Sequence, residues 1–316
     1  MSRVEGRRRR VRSRPARRAF AAVCMVGAAT TTACGAGGSR RLQDAAVVAS
    51  TDVWGSVAHA VAGRHVGIKS ILHGANVDPH TYQPTVADAA AVTDARLVIC
   101  NGGGYDPWLT QVLGQHPDIK SVTAYSFAPK PADGSPPNEH VFYDLDVAKS
   151  VATTIADRLA ADDATDAADY RANAATFGRD ADAIAAAERS TARTYPDTSV
   201  VATEPAAHYL VQATGLVNRT PPAFAKANEN GSDPAPADMA FVLDLVNRHQ
   251  VAAVLLNPQT ETPAITGLQN AAQRAGVPVV LVTESLPDGT EYLSWQRDTV
   301  NQLQAALRSG RTDAGH

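Results

Sequence analysis

The chain has 316 residues, 44% of them hydrophobic, 19% charged and 5% aromatic, a globular composition with too much apolar content for disorder. Its formal charge of −3 hides an asymmetry: residues 1–33 hold nine Arg against one Glu, whereas the chain from Cys34 onward holds 20 basic and 31 acidic side chains, a balance of −11. So acidic a body excludes nucleic-acid binding through a basic face and suits the attraction of a cation. Three Cys (Cys24, Cys34 and Cys100) are too few for a disulfide framework.

In chain order, the first segment reads as an address. Arg crowds residues 3–18, a short apolar stretch covers 19–29, and Thr31-Thr32-Ala33-Cys34 follows. A basic region, a brief apolar region and small residues before a cut make a secretory signal over 1–33. The apolar stretch is far below the ~20 residues of a membrane helix. Cys34 after small residues resembles a bacterial lipobox, with Thr31 where Leu is usual, and predicts lipidation of Cys34. Arg17-Arg18-Ala19-Phe20 also resembles a twin-arginine signal, a pattern that an Arg-rich segment produces easily by chance. Residues 34–46 then form a lipid-anchored tether.

Strands and helices alternate from residue 47. Strands are predicted at 47–51, 66–72, 97–100 and 121–125, with helices at 54–62, 85–94 and 106–113. Cys100 ends an apolar strand and reads as a small core hydrophobe. Val147, Val151, Ile155 and Leu159 recur every four residues, and Asp144 or Asp146 caps the start. Tyr170, Ala174, Phe177, Ala181 and Ile184 then follow a 4-3-4-3 spacing, in a stretch with no Pro and one Gly. That predicts one helix over 165–194, about 45 Å long at 1.5 Å per residue. Alternation restarts with strands at 199–203, 252–256 and 277–283 and helices at 207–214, 238–249, 262–275 and 292–308. A Pro-rich loop covers 221–236, and 309–316 is read as a disordered tail. The fold class is therefore α/β, with an N-terminal lobe (47–164), a linker helix (165–194) and a C-terminal lobe (195–308), each lobe a parallel sheet wrapped by helices.

Polar groups follow the strands. His80 and His140 lie on Pro-stiffened loops of the first half, and Glu204 and Glu284 end strands of the second. Parallel α/β sheets bind ligands outside the carboxyl ends of their strands. Two imidazoles and two carboxylates can hold a divalent first-row metal. Taken singly, each His also reads as a solvated loop residue and each Glu as a helix cap, and the spacing decides neither way.

Several motifs in order carry a family resemblance over 47–307. They are Ala49-Ser50-Thr51-Asp52-Val53-Trp54, Asn76-Val77-Asp78-Pro79-His80-Thr81-Tyr82 and Asn101-Gly102-Gly103-Gly104-Tyr105-Asp106-Pro107-Trp108. Asn138-Glu139-His140, Glu204-Pro205, Asn257-Pro258-Gln259, Gly276-Val277-Pro278-Val279-Val280 and Thr283-Glu284-Ser285-Leu286-Pro287 continue the series. In these the chain resembles the metal-type solute-binding proteins of bacterial ABC importers, the manganese/zinc receptor family. The resemblance implies two α/β lobes joined by one long rigid helix. It implies four metal ligands at the lobe interface, falling on His80, His140, Glu204 and Glu284, and one divalent ion as cargo. It also implies an extracytoplasmic monomer, lipid-anchored to the outer face of the cell membrane, that serves an ABC permease and its ATPase and is not an enzyme.

This sequence departs from the family pattern in three places. Glu204 stands where zinc receptors often have a third His, Glu284 stands where many members have Asp, and 129–137 lacks the His-rich loop of zinc-type members. Harder, carboxylate-rich ligation leans toward Mn²⁺ over Zn²⁺. Around the ligands, Asp78 is placed to accept an imidazole proton or to cap a turn, and Tyr82 to wall off the metal or to pack. His208, one helical turn past Glu204, is an alternative ligand or a cleft neighbour. The Gly102–Gly104 run lacks a phosphate-loop pattern and reads as a tight turn. Two other functions are open on the residues alone: a metal-dependent hydrolase, which needs an open coordination position and a nearby base, and a surface adhesin, which needs an exposed apolar patch.

Overall fold

The computed structural model describes residues 47–74, 78–260 and 262–313. The expected secretory signal, Cys34 and the expected tether, and Asn76 and Val77 of the second motif lie outside the described residues. No helix among the described residues is long and apolar enough to cross a membrane.

The first lobe is built from β1 (Val47–Thr51), α1 (Asp52–Ala62), β2 (Ile68–Leu72), α2 (Val86–Asp94), β3 (Leu97–Cys100), α3 (Pro107–Gln115) and β4 (Ser121–Thr123). The four strands form one parallel sheet in the order β2-β1-β3-β4. β1 and β3 are buried along their whole length, because helices cover both faces of the sheet. α2 starts at a capping box: the Thr85 side chain accepts from the Asp88 N–H while the Asp88 carboxylate accepts from the Thr85 N–H. Residues 124–125, expected to end the fourth strand, wind instead into a 3₁₀ turn, Ala124–Phe127. Cys100 is buried, and burial pushes its thiol up to about 12, which suits a core residue.

α4 (Leu145–Asp162) follows, with the Asp144 side chain accepting from the Asp146 and Val147 N–H groups. α5 (Ala167–Thr194) is the linker, 28 residues without a break. It buries the predicted stripe of Tyr170, Ala174, Phe177, Ala181 and Ile184 and continues it through Glu188 and Thr191. Each large apolar member, Phe177 or Ile184, contributes about 1.5–3 kcal/mol by leaving water.

The second lobe holds β5 (Ser199–Ala202), α6 (His208–Ala213), β6 (Val217–Asn218), α7 (Pro222–Glu229), α8 (Pro236–Asn247), β7 (Val254–Leu256), α9 (Pro263–Ala275), β8 (Val279–Leu281) and α10 (Tyr292–Asp313). Its parallel sheet has the order β6-β5-β7-β8, the same winding as the first. Two expectations are corrected here. The Pro-rich stretch is not all loop: Pro222 occupies the first turn of α7, where its missing N–H costs nothing. Residues 309–313, expected in a disordered tail, instead continue α10, which runs to Asp313.

The lobes are not separate bodies. One continuous apolar cluster runs from Val47 and Trp54, through Tyr170 and Phe177 of α5, to Trp295 and Leu307 of α10. Hydrogen bonds also cross between lobes. Tyr143 Oη donates to Thr283 O (2.7 Å), Tyr292 Oη to Phe142 O (2.7 Å) and Tyr209 Oη to Asn138 O (2.8 Å). Asp52 accepts from Gly74 N in its own lobe and from Leu286 N in the other.

Candidate metal centre

The carboxyl ends of both sheets face one cleft of about 680 Å³, lined by His80, Glu204, Glu229 and Glu284 among others. From the first lobe, His80 sits on a turn stiffened by Pro79. Asp78 accepts from the His80 backbone N–H (2.9 Å) and the Thr81 hydroxyl (2.9 Å), so it caps the turn and leaves the imidazole free. His140 precedes a 3₁₀ turn, Val141–Tyr143, and is fully buried. Asn138 Oδ1 accepts from its backbone N–H (2.9 Å) and lies 3.0 Å from its Nδ1. An amide oxygen there puts the ring proton on Nδ1 and leaves a lone pair on Nε2. The Tyr105 ring stands edge-on to both imidazoles, at centroid distances of 4.9 Å and 5.7 Å, and its hydroxyl donates to Glu284 O across the lobes.

From the second lobe, Glu284 Oε2 lies 3.5 Å from His140 Nε2 and 3.9 Å from His80 Nε2. The Glu284 backbone N–H is held by Gln259 Oε1. Glu204 follows β5, buried, and Asn257 Nδ2 donates both to its Oε2 (2.7 Å) and to Glu284 Oε1 (3.2 Å). His80, His140 and Glu284 each bring a ligand atom within 4.8 Å of the other two. Glu204 stands outside that group and is tied to it through Asn257.

The unsatisfied atoms mark the place. His80 Nε2, His140 Nε2, Glu204 Oε1 and Glu229 Oε1 are all buried without a hydrogen-bond partner. A bare buried polar atom costs about 1–3 kcal/mol, so three lining one cleft, with His140 buried behind it, point to a ligand that satisfies them, and lone pairs with carboxylate oxygens suit a cation. Charge is balanced accordingly. Burial lowers the His140 pKa, but Glu284, with Glu139 and Glu229, outweighs it and holds the imidazole above its ordinary value. Burial raises the Glu284 pKa, but His140 and His80 outweigh it and hold the carboxyl below the usual range. Glu204 lacks so close a cation, and burial, with Glu284 adding repulsion, pushes it up to about 7.

The other sequence candidates lie elsewhere. Tyr82 donates to Asp88 (2.6 Å) and packs edge-on to Trp108, so it belongs to the core rather than to a wall of the site. His208 is exposed and lines a separate cleft beside 129–139. Gly102, Gly103 and Gly104 all have positive φ, and a Cβ at Gly103 would meet the Tyr125 ring at 2.4 Å. The N–H groups of Asn101 and Gly102 both point at the Asp106 carboxylate (2.7 Å each), which makes this a clamped turn with no phosphate cradle. Sequence reasoning passed over Tyr105, Asn138 and Asn257 as site residues, although all three lie in the motifs it quoted. It missed Glu229 entirely, because the residue closes a helix read as loop. His65, Asp166 and Asp169 also cluster, but the two His65 nitrogens face different carboxylates (3.0 Å and 3.1 Å), which ties the start of α5 to the end of α1.

Two like-wound α/β lobes on one long helix, with buried ligand atoms converging from both, define a solute-binding protein of the metal type. The chain belongs to the zinc-uptake complex component A (ZnuA) family, a periplasmic family, which it matches over residues 47–306. It is 26% identical over 260 residues to the manganese-binding lipoprotein MntA of Halalkalibacterium halodurans, a match covering 79% of this chain and 84% of that protein. In fold it is similar to the SBP FpvC of Pseudomonas aeruginosa in complex with Mn²⁺, with a TM-score of 0.67, 20% identity, and 83% of this chain and 97% of that one covered. It is likewise similar to the periplasmic zinc binding protein TroA of Treponema pallidum, with a TM-score of 0.69, 18% identity, and 83% and 98% covered.

Proposed function

We propose that the chain is the extracytoplasmic receptor of an ABC importer, which captures one divalent transition metal between its lobes and delivers it to the permease and ATPase of the same system. Family membership supports the class of function. The observation that carries the site is the set of buried, partnerless ligand atoms from both lobes. His80, His140, Glu204 and Glu284 hold the ion, and loading displaces a proton from Glu204, whose pKa burial raises to about 7. Two imidazoles and two carboxylates lean toward Mn²⁺, the ion named for the MntA relative, over Zn²⁺. All four side chains are spent on holding the ion, which suits a carrier rather than a catalyst. Lipidation of Cys34 anchors the monomer at the membrane, and a Cys34→Ala variant is expected to move from the membrane fraction to the medium.

The ligand set is tested by thermal shift with Mn²⁺ and with Zn²⁺. An ion bound only by the native state adds RT ln(1 + [L]/Kd), about 4 kcal/mol at a thousandfold excess over Kd. His80→Ala, His140→Ala and Glu204→Ala each remove most of that shift, and Glu284→Asp, which keeps a carboxylate at shorter reach, removes less. Wild-type shifts in the His80 and Glu204 variants would refute the site.

A further inference from the structure

Glu229 is a buried carboxylate of the cleft that the four-ligand reading leaves unused. Its side chain is only 5% exposed, and its Oε1 is buried without a hydrogen-bond partner. That oxygen lies 3.8 Å from His140 Nε2, the same nitrogen that Glu284 approaches to 3.5 Å. Its position is enforced rather than incidental. The preceding residue, Asn228, donates to Thr203 O (3.0 Å), which ties the end of α7 to the end of β5. The other Glu229 oxygen pairs with Lys226, a side chain that is 58% exposed. Glu139, next to His140 in the chain, completes the group: Glu139, His140 and Glu229 each bring a ligand atom within 4.8 Å of the other two.

We propose that Glu139, His140 and Glu229 form an outer position for the same divalent ion, alternative to the inner one at His80, His140, Glu204 and Glu284. This rests on the reading of the cleft as a metal site. The two positions share one imidazole nitrogen, and a single lone pair binds a single ion, so they are filled in turn and never together. Asn138 pins the ring, so the ion moves by exchanging its other ligands around a fixed Nε2, from Glu229 and Glu139 to Glu284, Glu204 and His80. Glu229 lines the solvent-accessible cleft and His140 is buried behind it. An entering divalent ion displaces the monovalent Lys226 ammonium, which swings to water at little cost because it is already half exposed. The outer position, like the inner, joins a carboxylate of the second lobe to residues of the first.

Purified protein and Mn²⁺ alone provide the test, by equilibrium titration and by stopped-flow fluorescence. His80→Ala, which cripples the inner position, still binds one Mn²⁺ weakly, and adding Glu229→Gln to it lowers that residual affinity at least about tenfold. Glu229→Gln alone keeps a stoichiometry of one and slows Mn²⁺ capture by about tenfold, and Glu139→Gln acts in the same direction. The Glu139 variant decides the matter if Glu229→Gln fails to fold by circular dichroism. Equal residual affinity in His80→Ala and His80→Ala/Glu229→Gln, or capture at the wild-type rate, overturns the outer position. Complete loss of binding in Glu229→Gln alone also overturns it, since Glu229 would then be an inner ligand. A wild-type protein that binds neither Mn²⁺ nor Zn²⁺ refutes instead the reading on which the proposal rests.

Discussion

Asn257 carries more of the centre than its neutral side chain implies. One Nδ2 donates to both Glu204 and Glu284, so it orients two carboxylates that would otherwise repel each other. Asn257→Ala is expected to weaken Mn²⁺ binding about 10–100-fold at unchanged stoichiometry, read by calorimetric titration; an unchanged affinity would show that the carboxylates orient themselves. Glu204→His adds a softer ligand where burial already disfavours a charge, and competition titration should show preference moving toward Zn²⁺. The sequence exposed some of these residues and hid others for a physical reason. His80, His140, Glu204 and Glu284 stood out as candidates because each follows a strand or lies on a Pro-stiffened loop, where α/β folds gather ligands, but only the family resemblance joined them into one set. Asn138, Tyr105 and Asn257 act through the pose of another side chain, and one-dimensional spacing carries no signal for that. His208 misleads for the opposite reason: helical spacing placed it one turn from Glu204, but the turn Pro205–Ala207 directs it to a different cleft.

At the scale of elements, α5 was the most legible part of the chain, because its 4-3 stripe, which runs from Tyr170 to Thr191, marks a helix whether it packs on the lobes or in a coiled coil. α7 was the least legible, because Pro221 and Pro222 signal a loop unless the second stands at a helix start, a distinction only the backbone makes. Two predictions belong to α5. Gly178 lies mid-helix, and a Cβ there would meet nothing within 4 Å. Gly178→Ala should therefore stabilise the protein by about 0.5–1 kcal/mol in chemical denaturation, through helix propensity alone. Glu188, on the same helix, is 3% exposed with an unpartnered Oε1, and burial, with Asp144 adding repulsion, raises its pKa to about 8. The folded state thus holds a proton that the unfolded chain releases near the ordinary carboxyl value. Its stabilising contribution is complete at low pH and is lost as pH rises through about 8, with a slope of up to about 1.4 kcal/mol per pH unit in between. Glu188→Gln should flatten this part of the profile between pH 5 and 9 in urea titrations; parallel curves would assign the slope to other groups, including Asp144, whose pKa burial also raises.

Across the whole molecule, the question is how far the lobes part when the ion leaves. The apolar cluster passes without a break from the first lobe through α5 to α10, so a wide opening would expose part of a common core. It would also break the bonds from Tyr143 to Thr283, Tyr105 to Glu284 and Tyr292 to Phe142, and the bond from Leu286 to Asp52. At about 1 kcal/mol net for each hydrogen bond, before any apolar exposure, those four contacts already match the ~4 kcal/mol that ion binding supplies at a thousandfold excess. Full opening of the empty protein is therefore disfavoured by its own interface, and release must work by smaller movements. The parts free to move are the turn carrying His80 and the exposed Lys226 side chain of α7, which pairs with its neighbour Glu229. X-ray scattering of ion-free and Mn²⁺-loaded protein should give radii of gyration that differ by less than about 1 Å, against an overall radius of about 20 Å for a chain of this size. Hydrogen exchange should, in the same pair of samples, slow at 78–82 and 222–231 and stay unchanged along α5. A clamshell hinge predicts the reverse, a clear contraction on loading with altered exchange at the ends of α5, and that result would mean that the shared core does not hold the lobes together.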